Sequence, residues 1–312
     1  MLKKFIQIFP VFSGICFGSA GIFVRELSAR GMDSYTVVSS RTYVAIIILA
    51  IGMLLFNKEL FRVRLKDVWV FICSGILGTL GVNLCYNMAI EELTLSLSAV
   101  LLTIAPVFVV FFAAVFFKEK VTMRKVVCMI FAIIGCVLCS GVLEGASGMK
   151  WTVKGIIIGT MGAVFYALYS LFSKIAMQKG YQAFTITFYS MLAIGIALLP
   201  FTDWGSLIGI VKDDPITMSG FMILHSLFTS VFPYTCYTVA LNYMEAGKAS
   251  ILCSCEPVAA TFFGVFFFGE VPTVLALVGL GVTLIALGAL SLDKGKLEEN
   301  NLENRVCGNQ QV

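Results

Sequence analysis

Leu252 to Thr273 read L-C-S-C-E-P-V-A-A-T-F-F-G-V-F-F-F-G-E-V-P-T, and Leu101 to Thr122 read L-L-T-I-A-P-V-F-V-V-F-F-A-A-V-F-F-K-E-K-V-T. At an offset of 151, nine of these 22 positions are identical, including Pro106/Pro257, Phe111/Phe262, Phe112/Phe263, Phe116/Phe267, Phe117/Phe268 and Glu119/Glu270. Each copy is an apolar helix with a proline inside it and a carboxylate just past its far end. Shared composition can match the phenylalanines of two apolar helices. It explains less well a proline and a glutamate held 13 residues apart in both copies. We therefore read an internal duplication, and the rest of the chain is parsed around it.

Of the 312 residues, 59% are hydrophobic and 13% charged, against about 25% charged in a soluble protein. A mean hydropathy of +0.96 and repeated apolar runs near 20 residues point to a membrane. The net charge of +4 gives no reason to expect a nucleic-acid partner; the expected partners are the lipid bilayer and a small-molecule substrate, and a homodimer stays open. Nine of the ten cysteines lie in apolar segments, where they read as buried thiols rather than a disulfide framework. With a single histidine in the chain, no zinc-type ligand set is expected. No metal or other cofactor is expected.

Ten helices can be drawn, over 5–25, 34–56, 68–90, 95–117, 122–142, 153–173, 182–202, 217–240, 248–268 and 273–292. Each is near the length that crosses about 30 Å of hydrocarbon. The polar tail, 293–312, reads as disordered. With the N-terminus placed inside, sixteen Lys and Arg fall in inside segments and five in outside ones. That bias puts both termini in the cytoplasm and favours an even number of spans. The duplication divides the ten helices into 8–142 and 153–291, near Gly145-Ala-Ser-Gly148. The helix 1–2 and helix 6–7 pairs align at an offset of 149: Arg25 with Lys174, Gly31 with Gly180, Thr36 with Thr185. Five is odd, so the second copy must be inverted relative to the first. The expected fold is an all-α integral membrane protein of ten transmembrane helices in two inverted five-helix repeats, an architecture of many secondary transporters.

Ionisable residues within spans are costly and so mark sites. Arg41, His225 and Glu256 stand out. Glu256 precedes Pro257, which cannot donate to the Cys253 carbonyl, so a carboxylate would sit beside a kink and an open carbonyl, suited to a proton or cation. Arg41 could grip a substrate carboxylate in bidentate fashion, or pair with an acid for structure. His225 is a proton-carrier candidate, although lone histidines are more often packing residues. Asn83 and Asn87 share one helix face and Tyr86 lies between them. Tyr166 and Tyr169 share a second face, and Tyr234 and Tyr237 a third. These polar groups are pocket-lining candidates, with interhelical bonding, interfacial belts and core packing as competing roles. Pro106 and Pro257 are candidate hinges. Glu119 and Glu270, at the membrane edge, are candidate helix caps or gates. Glycines at 14, 18 and 21, at 75, 78 and 81, and at 279, 281 and 288 allow close helix approach.

The two P-x12-E copies, Arg41 and Glu256-Pro257 resemble the EamA-type transporters of the drug/metabolite transporter superfamily. In that family the second repeat typically runs from E-P to G-E, here Glu256-Pro257 to Gly269-Glu270. The first repeat departs from the pattern at Lys118-Glu119. The resemblance implies a carrier of ten helices in the bacterial cytoplasmic membrane, with helices one to four and six to nine around a central cavity. It also implies export of amino acids or related metabolites by alternating access. A multidrug or cation exporter and a vitamin or nucleotide-precursor permease are alternatives within the family. An ion channel or pore is the alternative from another class, but charged selectivity rings are not visible. No phosphate loop or catalytic cluster appears, so neither an ATP-driven pump nor an enzyme is expected.

Overall fold

The computed structural model of the chain describes residues 6–93, 95–139, 142–143, 152–269 and 271–292. Residues 145–148, Glu270 and the tail from 293 lie outside them. The described residues are helical, with no strand, and form nine helical runs, several of them interrupted, that are long and apolar enough to cross a membrane. The sequence reading draws ten. The fifth drawn helix, 122–142, is described over Met123–Cys139, with residues 140–141 outside the described ones.

The first span is not one helix over 5–25 but two, α1 (Ile8–Gly18) and α2 (Ala20–Ala29), joined at Ser19, whose Oγ donates back to the Cys16 carbonyl at 2.7 Å. α3 (Ser34–Phe56) starts where the Asp33 carboxylate accepts from the Tyr35 and Thr36 amides, the usual way an acidic cap satisfies a helix start. α4 (Val68–Ile72) runs through a π-helical stretch, Cys73–Leu80, into α5 (Gly81–Glu92). The helix drawn over 95–117 divides into α6 (Leu95–Leu102) and α7 (Ala105–Phe117). α8 is Met123–Cys139, α9 is Val153–Gln178 and α10 is Ala183–Leu198. A short helix absent from the sequence reading, α11 (Trp204–Asp213), follows. Asp203 caps it, and bonds from Ser206 and Gly205 hold that carboxyl below the usual carboxylate range. α12 (Pro215–Ser226) passes through a second π-helical stretch, Leu227–Val231, into α13 (Phe232–Tyr243). The span drawn over 248–268 divides into α14 (Ala246–Cys253) and α15 (Glu256–Phe268), and α16 (Val274–Ser291) ends the described chain.

The packing comes in matched pairs. α1 lies against α13, α14 and α15, while α9 lies against α5, the first π stretch, α6 and α7. α3 packs on α10, and α8 packs on α16. Matching backbone features recur as well. Gly31 and Gly180 both have left-handed φ, +90° and +92°, and so do the residues that end α7 and α15, Lys118 (+54°) and Gly269 (+64°). Phe262 and Phe266 on α15 are 64% and 74% exposed; an apolar surface this open suits lipid rather than water.

Candidate functional site

The site is assembled where four helices are interrupted. α7 and α15 each begin with a proline in their first turn, Pro106 and Pro257. A proline at that position lacks only an N–H that no helix carbonyl would have used. Thus the breaks fall just before the prolines, at Thr103–Ile104 and Ser254–Cys255. Glu256 is the first residue of α15. The positive end of the helix dipole therefore lies beside its carboxylate, within the bundle rather than at its surface.

The other two interruptions are the π stretches, a geometry that recurs at functional sites because it frees backbone groups. Arg41, on α3, is 9% exposed and reaches both. Its Nη2 donates to Asn83 Oδ1 at 2.7 Å, and Asn83 Nδ2 donates to the carbonyl of Thr79 in the first stretch at 2.7 Å. Its Nη1 contacts the carbonyl of Thr229 in the second stretch at 3.5 Å. Pro233 has no N–H to offer that carbonyl four residues earlier. Sequence reasoning missed Pro233; the argument applied to Pro257 would have found it. Ser226 Oγ bonds the Arg41 carbonyl at 2.7 Å, fixing α3 to α12.

Tyr234, beside Pro233, stands within electrostatic reach of both Arg41 and Glu256. Tyr86 and Tyr166 also stand within electrostatic reach of Glu256. The tyrosines of α9 and α13 interlock. The Tyr169 ring meets Tyr234 edge-on at 5.2 Å, and Tyr166 meets Tyr237 at 6.0 Å. The Tyr169 hydroxyl pairs with Thr238 and the Tyr237 hydroxyl with Ser170, each at 2.8 Å. Tyr169 and Tyr237 are thus satisfied inside the core. Arg41, Asn83, Tyr86, Tyr166, Tyr234 and Glu256 form one polar cluster. Asn87 is half-buried one turn further along α5. His225 is fully buried and stacks on Phe23 at 5.2 Å.

Glu119 lies apart from this cluster, at the end of α7. It pairs with Lys174 and accepts from the Ala246 amide at 2.9 Å and the Gly247 amide at 3.4 Å. It therefore caps α14 from across the molecule. Lys125 pairs with Glu245 beside it. Lys174 also lies over the Phe117 ring, and Arg25 over the Phe268 ring, at 5.1 and 4.6 Å. Glu270, the other candidate gate, is outside the described residues.

The EamA-like transporter family model matches this chain twice, over residues 4–141 and 153–292. The chain belongs to the EamA-like transporter family. It is thus a multi-pass membrane transporter and not an enzyme. An uncharacterized transporter of Archaeoglobus fulgidus is 26% identical over 288 residues, 92% of this chain and 98% of the relative. A probable terminal-alkyne amino-acid exporter of Streptantibioticus cattleyicolor is 24% identical over 262 residues, 82% of this chain and 85% of the relative. A solved crystal structure, 13% identical, aligns with a TM-score of 0.73 over 92% of this chain and 96% of its own, so this EamA chain shares its fold.

Proposed function

We propose that this EamA transporter is a secondary carrier that exports amino acids or related small metabolites by alternating access. In this reading two inverted repeats of five helices, 8–142 and 153–291, enclose the path, and both termini lie in the cytoplasm of a bacterium. The matched helix pairings and the paired left-handed caps support the duplication. The name of the Streptantibioticus relative supports the amino-acid class.

The observation that carries the proposal is the buried Arg41, bonded to Asn83 and in contact with the Thr229 carbonyl that Pro233 leaves open, in a bundle where Glu256 begins a helix just after a break. Transporters place substrate and coupling groups at such discontinuities, because open backbone there can replace hydration. Arg41 and Glu256 are the substrate-binding and proton-coupling groups, and the breaks before Pro106 and Pro257 are the hinges. The test is transport by the purified protein in liposomes, using a ligand found by thermal stabilisation. We expect saturable counterflow. Arg41→Ala should weaken ligand binding, and Glu256→Gln should abolish gradient-driven accumulation while leaving exchange. Accumulation that persists undiminished in Glu256→Gln would remove the coupling role.

A further inference from the structure

We propose that the ligand of this site carries a carboxylate that binds Arg41, and that Asn83 sets this preference by occupying Arg41 without neutralising it. The proposal rests on the transport reading of the same site and adds the charge class of what is carried.

Arg41 is a buried cation whose partners in the structure are neutral. Among the described residues no carboxylate lies within ion-pair distance of it, and its two bonds go to an amide oxygen and a backbone carbonyl. A guanidinium has five donors, and a buried charge left without a counter-charge is costly. The planar fork fits a carboxylate with two parallel bonds. An ammonium in that place would meet like charge.

His225 is a second and independent observation. Neither of its ring nitrogens has a hydrogen-bond partner among the described residues, although the side chain is fully buried. Buried imidazole nitrogens ordinarily find partners. His225 lies one helical turn before Thr229 and within electrostatic reach of Arg41. It can donate an N–H to the same anion. Phe23 covers one face of the ring, so the ring edge carries the unused polar atoms.

Asn83 is the group that leaves Arg41 available. Its Nδ2 bond to Thr79 turns Oδ1 toward the guanidinium. An aspartate at this position would put a permanent carboxylate on Arg41 and compete with the ligand's own. Asn83 is thus a specificity-determining residue.

The experiment uses the full chain in lipid nanodiscs. Thermal stabilisation is titrated with the twenty amino acids and benzoate, each beside its decarboxylated or amine counterpart. In the wild type, the acids should stabilise and the matching amines should be at least tenfold weaker. Asn83→Asp should cost the acids tenfold or more in apparent affinity and spare the amines. Arg41→Gln should do the same, which keeps the test sound if Asn83→Asp fails to fold. The proposal is overturned if no carboxylate stabilises the wild type, if amines bind as well as their parent acids, or if neither variant changes acid binding. Counterflow measured alongside separates the two readings. Counterflow of an amine alone would keep the carrier and reject the carboxylate, whereas acid binding without counterflow would reject the carrier and keep the anion site.

Discussion

Glu119 serves two groups with one carboxylate. It holds Lys174, and it caps α14 through the Ala246 and Gly247 amides. The side chains of the ion pair are 9% and 14% exposed, so breaking it strands a poorly hydrated lysine. Glu119→Ala should destabilise the protein by about 3 kcal/mol, from roughly 1 for the cap and the rest for the pair. Glu119→Gln keeps an acceptor for the cap, so it should lose less than the alanine variant. Thermal melts of both in the same lipid give the comparison, and equal losses would show that the cap contributes nothing. Sequence alone marked Glu119 through its repetition at Glu270. It did not reveal Lys174 or Ala246, 55 and 127 residues away, because capping across the molecule leaves no local pattern. Arg41 is similar: its rarity in a span was visible, but its neutral partners were not.

At the scale of elements, α1 fits against the broken helix because it offers glycines there. Hydrophobic burial does not drive helices together within lipid, so close van der Waals packing must do so. A methyl at Gly18 would lie 2.6 Å from the Glu256 carbonyl oxygen and 2.7 Å from Ala259 Cβ, whereas one at Gly21 would meet nothing within 4 Å. Gly18→Ala should therefore push α1 from the start of α15, costing about 1–3 kcal/mol and displacing Glu256. Gly21→Ala should be tolerated. Melting temperature and transport rate, measured on both variants, decide this; equal effects would reject close approach as the reason for Gly18. Pro106 and Pro257 were legible in sequence as points where a helix bends; the full interruption beside each was not. The π stretches were not, since Cys73–Leu80 contains no proline and its glycines read equally well as ordinary packing positions.

At the scale of the whole molecule, the charge bias across the connections makes an orientation testable. Cys307 is the cysteine in the polar tail, so an impermeant maleimide should label it only after intact cells are permeabilised. Cys307→Ser supplies the background from the other cysteines. Labelling of Cys307 in intact cells would invert the proposed topology. The sequence by itself determined the membrane class, through composition and span length, and the family, through a proline–glutamate pattern held at a fixed spacing in both copies. These are one-dimensional properties, since lipid requires long apolar helices wherever the chain crosses it. It also singled out Arg41 and Glu256, because an ionisable group in a span is rare whatever surrounds it. Only the tertiary structure decided what lies between them. It set Tyr234 within reach of both, bridged two π stretches through Arg41 and Asn83, and left Arg41 with neutral partners. Those arrangements depend on how α3, α5, α12, α13 and α15 rotate against one another, which is fixed by side-chain packing among residues far apart in the chain.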